Sequence, residues 1–156
     1  MSTQREHSGS RFWMGWLTAA TVLMALFGLV LVVAPGLARE GFGLLVYSSS
    51  ERISGFGPEA ADYVELAHAV MGSVMVGWGV ALLLVLRGPM RRNPAEGVRI
   101  FATSLLCWFL PDTAFSLISG FWQNAVLNLV FALLFAVPLV ALAMRPRTAA
   151  GASWPL

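Results

Sequence analysis

An aspartate inside an apolar segment is the residue whose type and place point most directly to chemistry in this chain. Asp112 falls in the stretch from Ile100 to Ile118, which is otherwise uncharged and long enough to cross a bilayer. An ionisable side chain in such a segment costs several kcal/mol unless it is paired or hydrated, and it usually faces a bundle interior or a wet cavity. Asp112 therefore marks the place where we expect a ligand or a proton to bind.

Other polar residues fall at matching depths on the next segment. Asp112 lies eight residues before Gly120, and Asn128 lies eight residues after it. In an antiparallel hairpin that turns at Gly120, the two residues are level, about 12 Å from the turn. Ser116 and Asn124 are level with each other by the same rule, one helical turn nearer to Gly120. We therefore predict that Asp112 and Asn128 face each other.

A second pair of titratable residues precedes this hairpin. Glu65-x-x-His68 places a carboxylate and an imidazole on one helical face, which is half of a carboxylate di-iron motif. That site needs a second such pair and two more glutamates, so we predict no metal and no cofactor. The candidate ligand- or proton-binding residues are Glu65, His68, Asp112, Asn124 and Asn128. We expect Asp112, His68 and Glu65 to titrate as one unit between about pH 5 and 8, with catalytic residues unassigned.

These polar residues also have a purely structural interpretation. Polar side chains join membrane helices by hydrogen bonds worth about 0.6 to 2 kcal/mol each. Ser116, Asn124 and Asn128 fit that role, whereas two acids and a histidine exceed what it requires. Both interpretations stay open at this point.

Composition defines the class of protein. Of 156 residues, 58% are hydrophobic and 12% are charged, which lies outside the range of soluble globular proteins. Four segments reach the roughly 20 residues that a membrane span needs: about 12–34, 63–86, 98–119 and 122–144. We predict an all-α, four-transmembrane-helix bundle as a single domain over 12–144, with tails 1–11 and 145–156. The first segment is too long for the apolar region of a signal peptide, so we interpret it as a retained helix.

The arginines predict how the bundle is oriented. All ten basic residues are arginine, and they are not gathered into one patch, so the net charge of +2 does not indicate nucleic-acid binding. The first connection holds two of them; the other eight lie at Arg5, Arg11, Arg87, Arg91, Arg92, Arg99, Arg145 and Arg147. By the positive-inside rule both termini and the second connection are cytoplasmic. The longer first connection and the third are then extracytoplasmic.

Two further segments lead to structural expectations. The first connection, about 36–61, contains an apolar run at 42–47 that is too short to span, so we expect it to lie at the interface or dip back into the bundle. On the second span, a stripe of small residues at i, i+4 spacing is interpreted as a helix-packing surface; it comprises Ala69, Ser73, Gly77 and Ala81.

The layout of four spans with both termini inside resembles the broad DoxX-like group of uncharacterised bacterial membrane proteins. This resemblance covers the architecture, and it implies a multi-pass protein of the bacterial inner membrane. The segments 108–113 (WFLPDT) and 121–128 (FWQNAVLN) match no motif whose chemistry carries over. The intramembrane acids, histidine and asparagines also resemble sterol-isomerase-type bundles by analogy. Cys107 is the single cysteine, which excludes quinone-coupled thiol chemistry.

The sequence thus predicts a small integral membrane protein with an outer-leaflet polar pocket for a small or lipid-like ligand or for protons. One alternative is an accessory or assembly subunit of a larger membrane complex. Another is a membrane enzyme acting on a lipid-soluble substrate, with Asp112 or Glu65 and His68 as acid and base. The expected partners are the lipid bilayer, such a ligand, and a membrane-protein partner or a second copy of the chain, but no nucleic acid.

Overall fold

A computed structural model describes residues 2–144, with side chains for residues 9–144. Most of the predicted N-terminal tail and the whole of 145–156 lie outside the described side chains, and with them three of the arginines used above, Arg5, Arg145 and Arg147. The described chain is helical throughout and contains no strand. The helices are α1 (Ser2–Val33), α2 (Pro35–Tyr47), α3 (Pro58–Arg87), α4 (Pro89–Arg92), α5 (Pro94–Ile118) and α6 (Trp122–Ala143), with a short 3₁₀ turn at Ser54–Phe56.

Four helical stretches are long and apolar enough to cross a membrane, which confirms the all-helical prediction and the prediction of four helices able to span. They are Gly9–Val33, Pro58–Arg92, Pro94–Ile118 and Trp122–Ala143. Local signals explain where several helices begin, because α2, α3, α4 and α5 each carry proline in the first turn, where a missing amide hydrogen costs nothing. The Asn93 side chain also accepts a hydrogen bond from the Glu96 amide at the start of α5.

A tight turn joins α5 to α6. Gly120 takes a left-handed conformation with φ of 81°. The Phe121 amide donates to the Ser116 carbonyl at 2.8 Å, and the Gly120 amide donates to the Leu117 carbonyl at 3.2 Å. This bond pair is the Schellman arrangement that ends helices at glycine. It makes α5 and α6 the antiparallel hairpin that the sequence predicts.

Glycines bring α1 and α3 into backbone contact. A Cβ added at Gly28 would lie 2.8 Å from both the Gly72 carbonyl oxygen and the Met75 Cβ, and one added at Gly79 would lie 2.8 Å from the Ala25 Cβ. Small residues allow this approach, which gives van der Waals contact where lipid offers no hydrophobic drive for association.

The packing face of α3 is therefore not the predicted small-residue stripe. Gly77 has nothing within 4 Å of an added Cβ, and Ser73, Gly77 and Ala81 are exposed. Two neighbouring faces of α3 both carry small residues, and α1 packs on the one that holds Gly72 and Gly79. Within this chain the predicted stripe is therefore an exposed surface of α3 at Ser73, Gly77 and Ala81.

The remaining contacts close the four spans into a ring, in which α1 packs on α3 and α6, and α5 packs on α6 and α3. The Trp16 indole donates to the Leu134 carbonyl at 3.0 Å, which links α1 to α6. The largest fully buried side chains include Leu17, Phe101 and Phe135. Between α3 and α5, the Trp78 indole donates to the Ser104 hydroxyl at 2.6 Å. That bond lies near the middle of both helices.

The first connection contains a helix that the sequence analysis did not predict. The apolar run at 42–47 is the second half of α2, and α2 packs against α3 and α6. Arg39 forms an ion pair with Glu65 at 2.9 Å, and the Gln123 side-chain amide donates to the Val46 carbonyl at 3.3 Å. These contacts tie α2 across one end of the bundle. We call this the outer end, and the opposite end, which carries Arg11, Arg87 and Arg91, the arginine end.

Candidate functional site

A hydrogen-bonded polar cluster lies on the α5–α6 hairpin. The Asn124 side-chain amide donates to the Asp112 carboxylate at 3.0 Å and to the Ser116 hydroxyl at 2.8 Å. The Ser116 hydroxyl donates to the Asp112 backbone carbonyl at 2.8 Å. Asp112 and Ser116 lie on one face of α5 because they are four residues apart. One amide on α6 therefore reaches an oxygen of each.

A second bond joins the two helices further from the turn. The Asn128 side-chain amide donates to the Thr113 hydroxyl at 3.4 Å, and Asn128 is buried. Asp112 is thus bonded to Asn124 and not to Asn128, the residue that the spacing rule predicts to face it. The rule fixes depth, whereas the rotation of each helix about its axis selects the bonded partner. Asn124 is level with Ser116, one helical turn from Asp112. Its side-chain amide therefore reaches both the Ser116 hydroxyl and the Asp112 carboxylate.

A cavity of about 390 Å³ adjoins this cluster. Its walls come from α1, α2, α3, α5 and α6, and they are apolar apart from three residues, Asp112, Asn124 and Asn128. The apolar lining consists of Met24, Phe27, Leu31, Phe42, Met71, Val74, Met75, Trp78, Trp108, Leu127, Phe131 and Phe135. An apolar cavity of this size with a few convergent polar groups is typical of small-molecule sites.

Two tryptophans and a phenylalanine close parts of this cavity. The rings of Trp78 and Trp108 lie with their centroids 5.8 Å apart where α3 meets α5. Phe42, on α2, lines the cavity and also contacts the His68 ring at a centroid distance of 5.0 Å. The helix that caps the outer end therefore contributes directly to the cavity wall.

Glu65 and His68 do not line the cavity. Glu65 is paired with Arg39, and the His68 Nδ1 atom lies 2.7 Å from the Val64 carbonyl oxygen. Among the described residues, no hydrogen bond or ion pair joins either of them to Asp112. The coupled unit of Asp112, His68 and Glu65 expected from their depths is therefore not assembled by direct contacts, because Glu65 and His68 are engaged with α2 and with their own helix. Phe42 lines the cavity and also contacts the His68 ring.

The unsatisfied hydrogen-bonding capacity of the cluster indicates what it can bind. Asn124 uses its amide hydrogens on Asp112 and Ser116, which leaves its carbonyl oxygen as an acceptor. The second carboxylate oxygen of Asp112 accepts no hydrogen bond from the side chains described. Residues 9–144 also contain no group of three or more His, Cys, Asp or Glu side chains placed to hold a metal ion. The cavity therefore offers acceptors, and a complementary ligand would bring donors.

Sequence reasoning found the polar members of this cavity and missed the apolar ones. Trp78 and Trp108 carry one available signal, since tryptophan in mid-span is unusual when most lie near interfaces. Arg39 also carried one, as an arginine on the side predicted to be extracytoplasmic. For Phe42 the signal is the apolar run at 42–47, which was expected to lie at the interface or to dip back into the bundle; the run packs on the bundle as part of α2, but its length does not predict that Phe42 lines the cavity.

Comparison with protein-family models, with curated proteins and with solved structures finds no match to this chain. The resemblance to the DoxX-like group stays a prediction.

Proposed function

We propose that this chain is a membrane protein that binds a small, mainly apolar ligand in the cavity at Asp112. The single observation that carries the proposal is a cavity of about 390 Å³ with apolar walls and a carboxylate among its lining residues. An ionisable group at membrane depth is expensive, so its place at a cavity and not at a close-packed interface favours a functional role.

The chemistry of the lining defines the ligand class. Aromatic, methionine and aliphatic side chains favour an apolar body, and methionine adapts to irregular shapes. The acceptor oxygens of Asp112 and Asn124 favour a ligand that carries a hydroxyl or an amine. A ligand without a donor would leave the carboxylate oxygen unpaired, which is costly in a site of low dielectric. The same geometry is compatible with proton binding at Asp112, but a proton alone does not require the large apolar volume.

The experiment compares two probes that share one apolar body and one oxygen, and differ in that a methyl group replaces the hydroxyl hydrogen of the first. Geraniol carries one hydroxyl on an apolar body, and geranyl methyl ether lacks the donor. We expect geraniol to bind the purified protein and shift its tryptophan emission, and the ether to bind at least about tenfold more weakly, the cost of one unpaired buried polar group. Trp108→Phe should remove much of the emission change because that ring lines the cavity.

The variant Asp112→Leu should abolish the preference for the alcohol over the ether. Thr103→Ala is the matched control, because Thr103 is an exposed polar residue on the same helix. Equal binding of both probes to the wild-type protein, or an unchanged preference in Asp112→Leu, would refute the proposal.

Two other functions receive less support. An enzyme using Asp112 with His68 as acid and base would need both at one site, and His68 is not among the residues that line the cavity. An accessory subunit is favoured by one observation, the exposed stripe at Ser73, Gly77 and Ala81. Crosslinking through Gly77→Cys in a Cys107→Ser background would capture a second copy or a partner helix under that alternative. A variant that stays monomeric and uncaptured in native membranes would reject it.

The orientation proposed here has both termini in the cytoplasm of a bacterium, with the chain in the inner membrane. Its support is the arginine asymmetry across the four spans. Single cysteines at positions 49 and 92, introduced in the Cys107→Ser background, should react with an impermeant reagent from opposite sides. Labelling of position 49 from the cytoplasmic side alone would overturn the orientation.

A further inference from the structure

A groove separate from the Asp112 cavity lies between α1 and α3 at the arginine end. It has a volume of about 790 Å³, and three arginines line it: Arg11 on α1, Arg87 at the end of α3 and Arg91 on α4. All three side chains are exposed. The guanidinium groups are therefore placed where they can meet a ligand at the membrane surface.

The rest of the groove is almost entirely apolar. On α1 it extends from Arg11 to Leu23, which is about 18 Å at the helical rise of 1.5 Å per residue. Gly15 and Ala19 leave space along this wall because their side chains are small or absent. The Thr18 hydroxyl donates a hydrogen bond to the Met14 carbonyl at 2.8 Å. A cationic mouth thus leads into an apolar channel that points along the spanning helices.

The acidic residues described in the structure do not neutralise this mouth. Among residues 9–144 the ion pair is that of Arg39 with Glu65, which lies at the outer end. Glu96, the acidic side chain described at the arginine end, contacts Asn93 at the start of α5. Among the side chains of residues 9–144, the groove therefore presents positive charge that no acidic side chain pairs, above an apolar channel.

We infer that this groove binds an anionic phospholipid, with its phosphate on Arg87, Arg91 and Arg11 and one acyl chain between α1 and α3. Guanidinium groups bind phosphate oxygens with paired hydrogen bonds. Basic pockets between membrane helices on the cytoplasmic side are the kind that hold anionic headgroups. The arginine bias predicts that this end faces the cytoplasm, where the leaflet carries such lipids. The inference does not depend on the proposed function of the Asp112 cavity.

The test uses native mass spectrometry of the full chain in an uncharged detergent. Phosphatidylglycerol and phosphatidylcholine with identical acyl chains are added separately, and the lipid-bound fraction is measured. We expect phosphatidylglycerol to bind more tightly, and Arg87→Gln/Arg91→Gln to weaken it by about fivefold for each arginine removed. Arg92→Gln/Arg99→Gln is the matched control, because it removes the same charge from exposed arginines at the same end that do not line the groove.

A second variant separates a lipid from free phosphate. Ala19→Leu fills the apolar channel at an exposed position and leaves the arginines in place. It should displace phosphatidylglycerol, and glycerol 3-phosphate should fail to compete with the lipid in the wild-type protein. Unchanged helical circular dichroism and size-exclusion elution would show that each variant is folded. Equal binding of the two lipids, equal losses in the two double variants, or full competition by glycerol 3-phosphate would overturn the inference.

Discussion

The glycine contact between α1 and α3 makes a prediction with a built-in control. A Cβ at Gly72 would overlap the Gly28 carbonyl oxygen and lie 2.8 Å from the Leu31 Cβ. The first of these atoms is backbone, so relief requires α1 and α3 to separate. Overpacking of this kind typically costs about 1–3 kcal/mol. We expect Gly72→Ala to lower the free energy of unfolding by that amount.

Gly77 lies five residues further along the same helix and gives the opposite expectation. A Cβ there meets nothing within 4 Å. Alanine is a better helix former than glycine, by up to about 1 kcal/mol. Gly77→Ala should therefore leave stability unchanged or raise it slightly. The measurement is the free energy of unfolding in mixed micelles titrated with sodium dodecyl sulfate. Equal stabilities of the two alanine variants would refute the assignment of the packing face.

Three further predictions concern side chains around the cavity. Asp112→Leu should change the free energy of unfolding by less than about 1 kcal/mol, because Asn124 keeps the Ser116 hydroxyl as an acceptor and an ionisable group leaves the membrane. Thermal unfolding by circular dichroism checks this, and a loss of several kcal/mol would give the Asp112 side chain a structural role. Trp78→Phe and Ser104→Ala should each lower the free energy of unfolding by about 0.6–1.7 kcal/mol, and the double variant should lose no more than either single variant. Additive losses in the double variant would reject the hydrogen bond between the two side chains. Glu65→Ala and Arg39→Ala should each speed hydrogen exchange in α2, and protection equal to wild type would show that the ion pair does not hold this helix.

The four spans could be predicted because hydropathy and length act locally. A stretch of about 20 apolar residues has no other stable place in a small protein. Helix α2 could not be predicted in this way. It has 13 residues, it contains Arg39, Glu40 and three glycines, and its stability comes from contacts with α3 and α6.

The polar part of the cavity was accessible to sequence reasoning through the geometry of a hairpin. Equal distances from Gly120 bring Asp112 and Asn128 to the lining of one cavity, and Ser116 and Asn124 into a direct hydrogen bond. Which atoms bond depends on helix rotation, which the whole bundle sets. The same rotation decides that α1 packs on the Gly72 face of α3 and leaves the neighbouring stripe exposed.

We propose that the cavity at Asp112 holds a donor-bearing apolar ligand. The most direct measurement is mass spectrometry of small molecules retained by protein purified gently from native membranes, compared between wild type, Asp112→Leu and Thr103→Ala. We expect one apolar compound with a hydroxyl or amine, retained by wild type and by Thr103→Ala and lost from Asp112→Leu. Retention of the same compounds in the same amounts by all three proteins would contradict it.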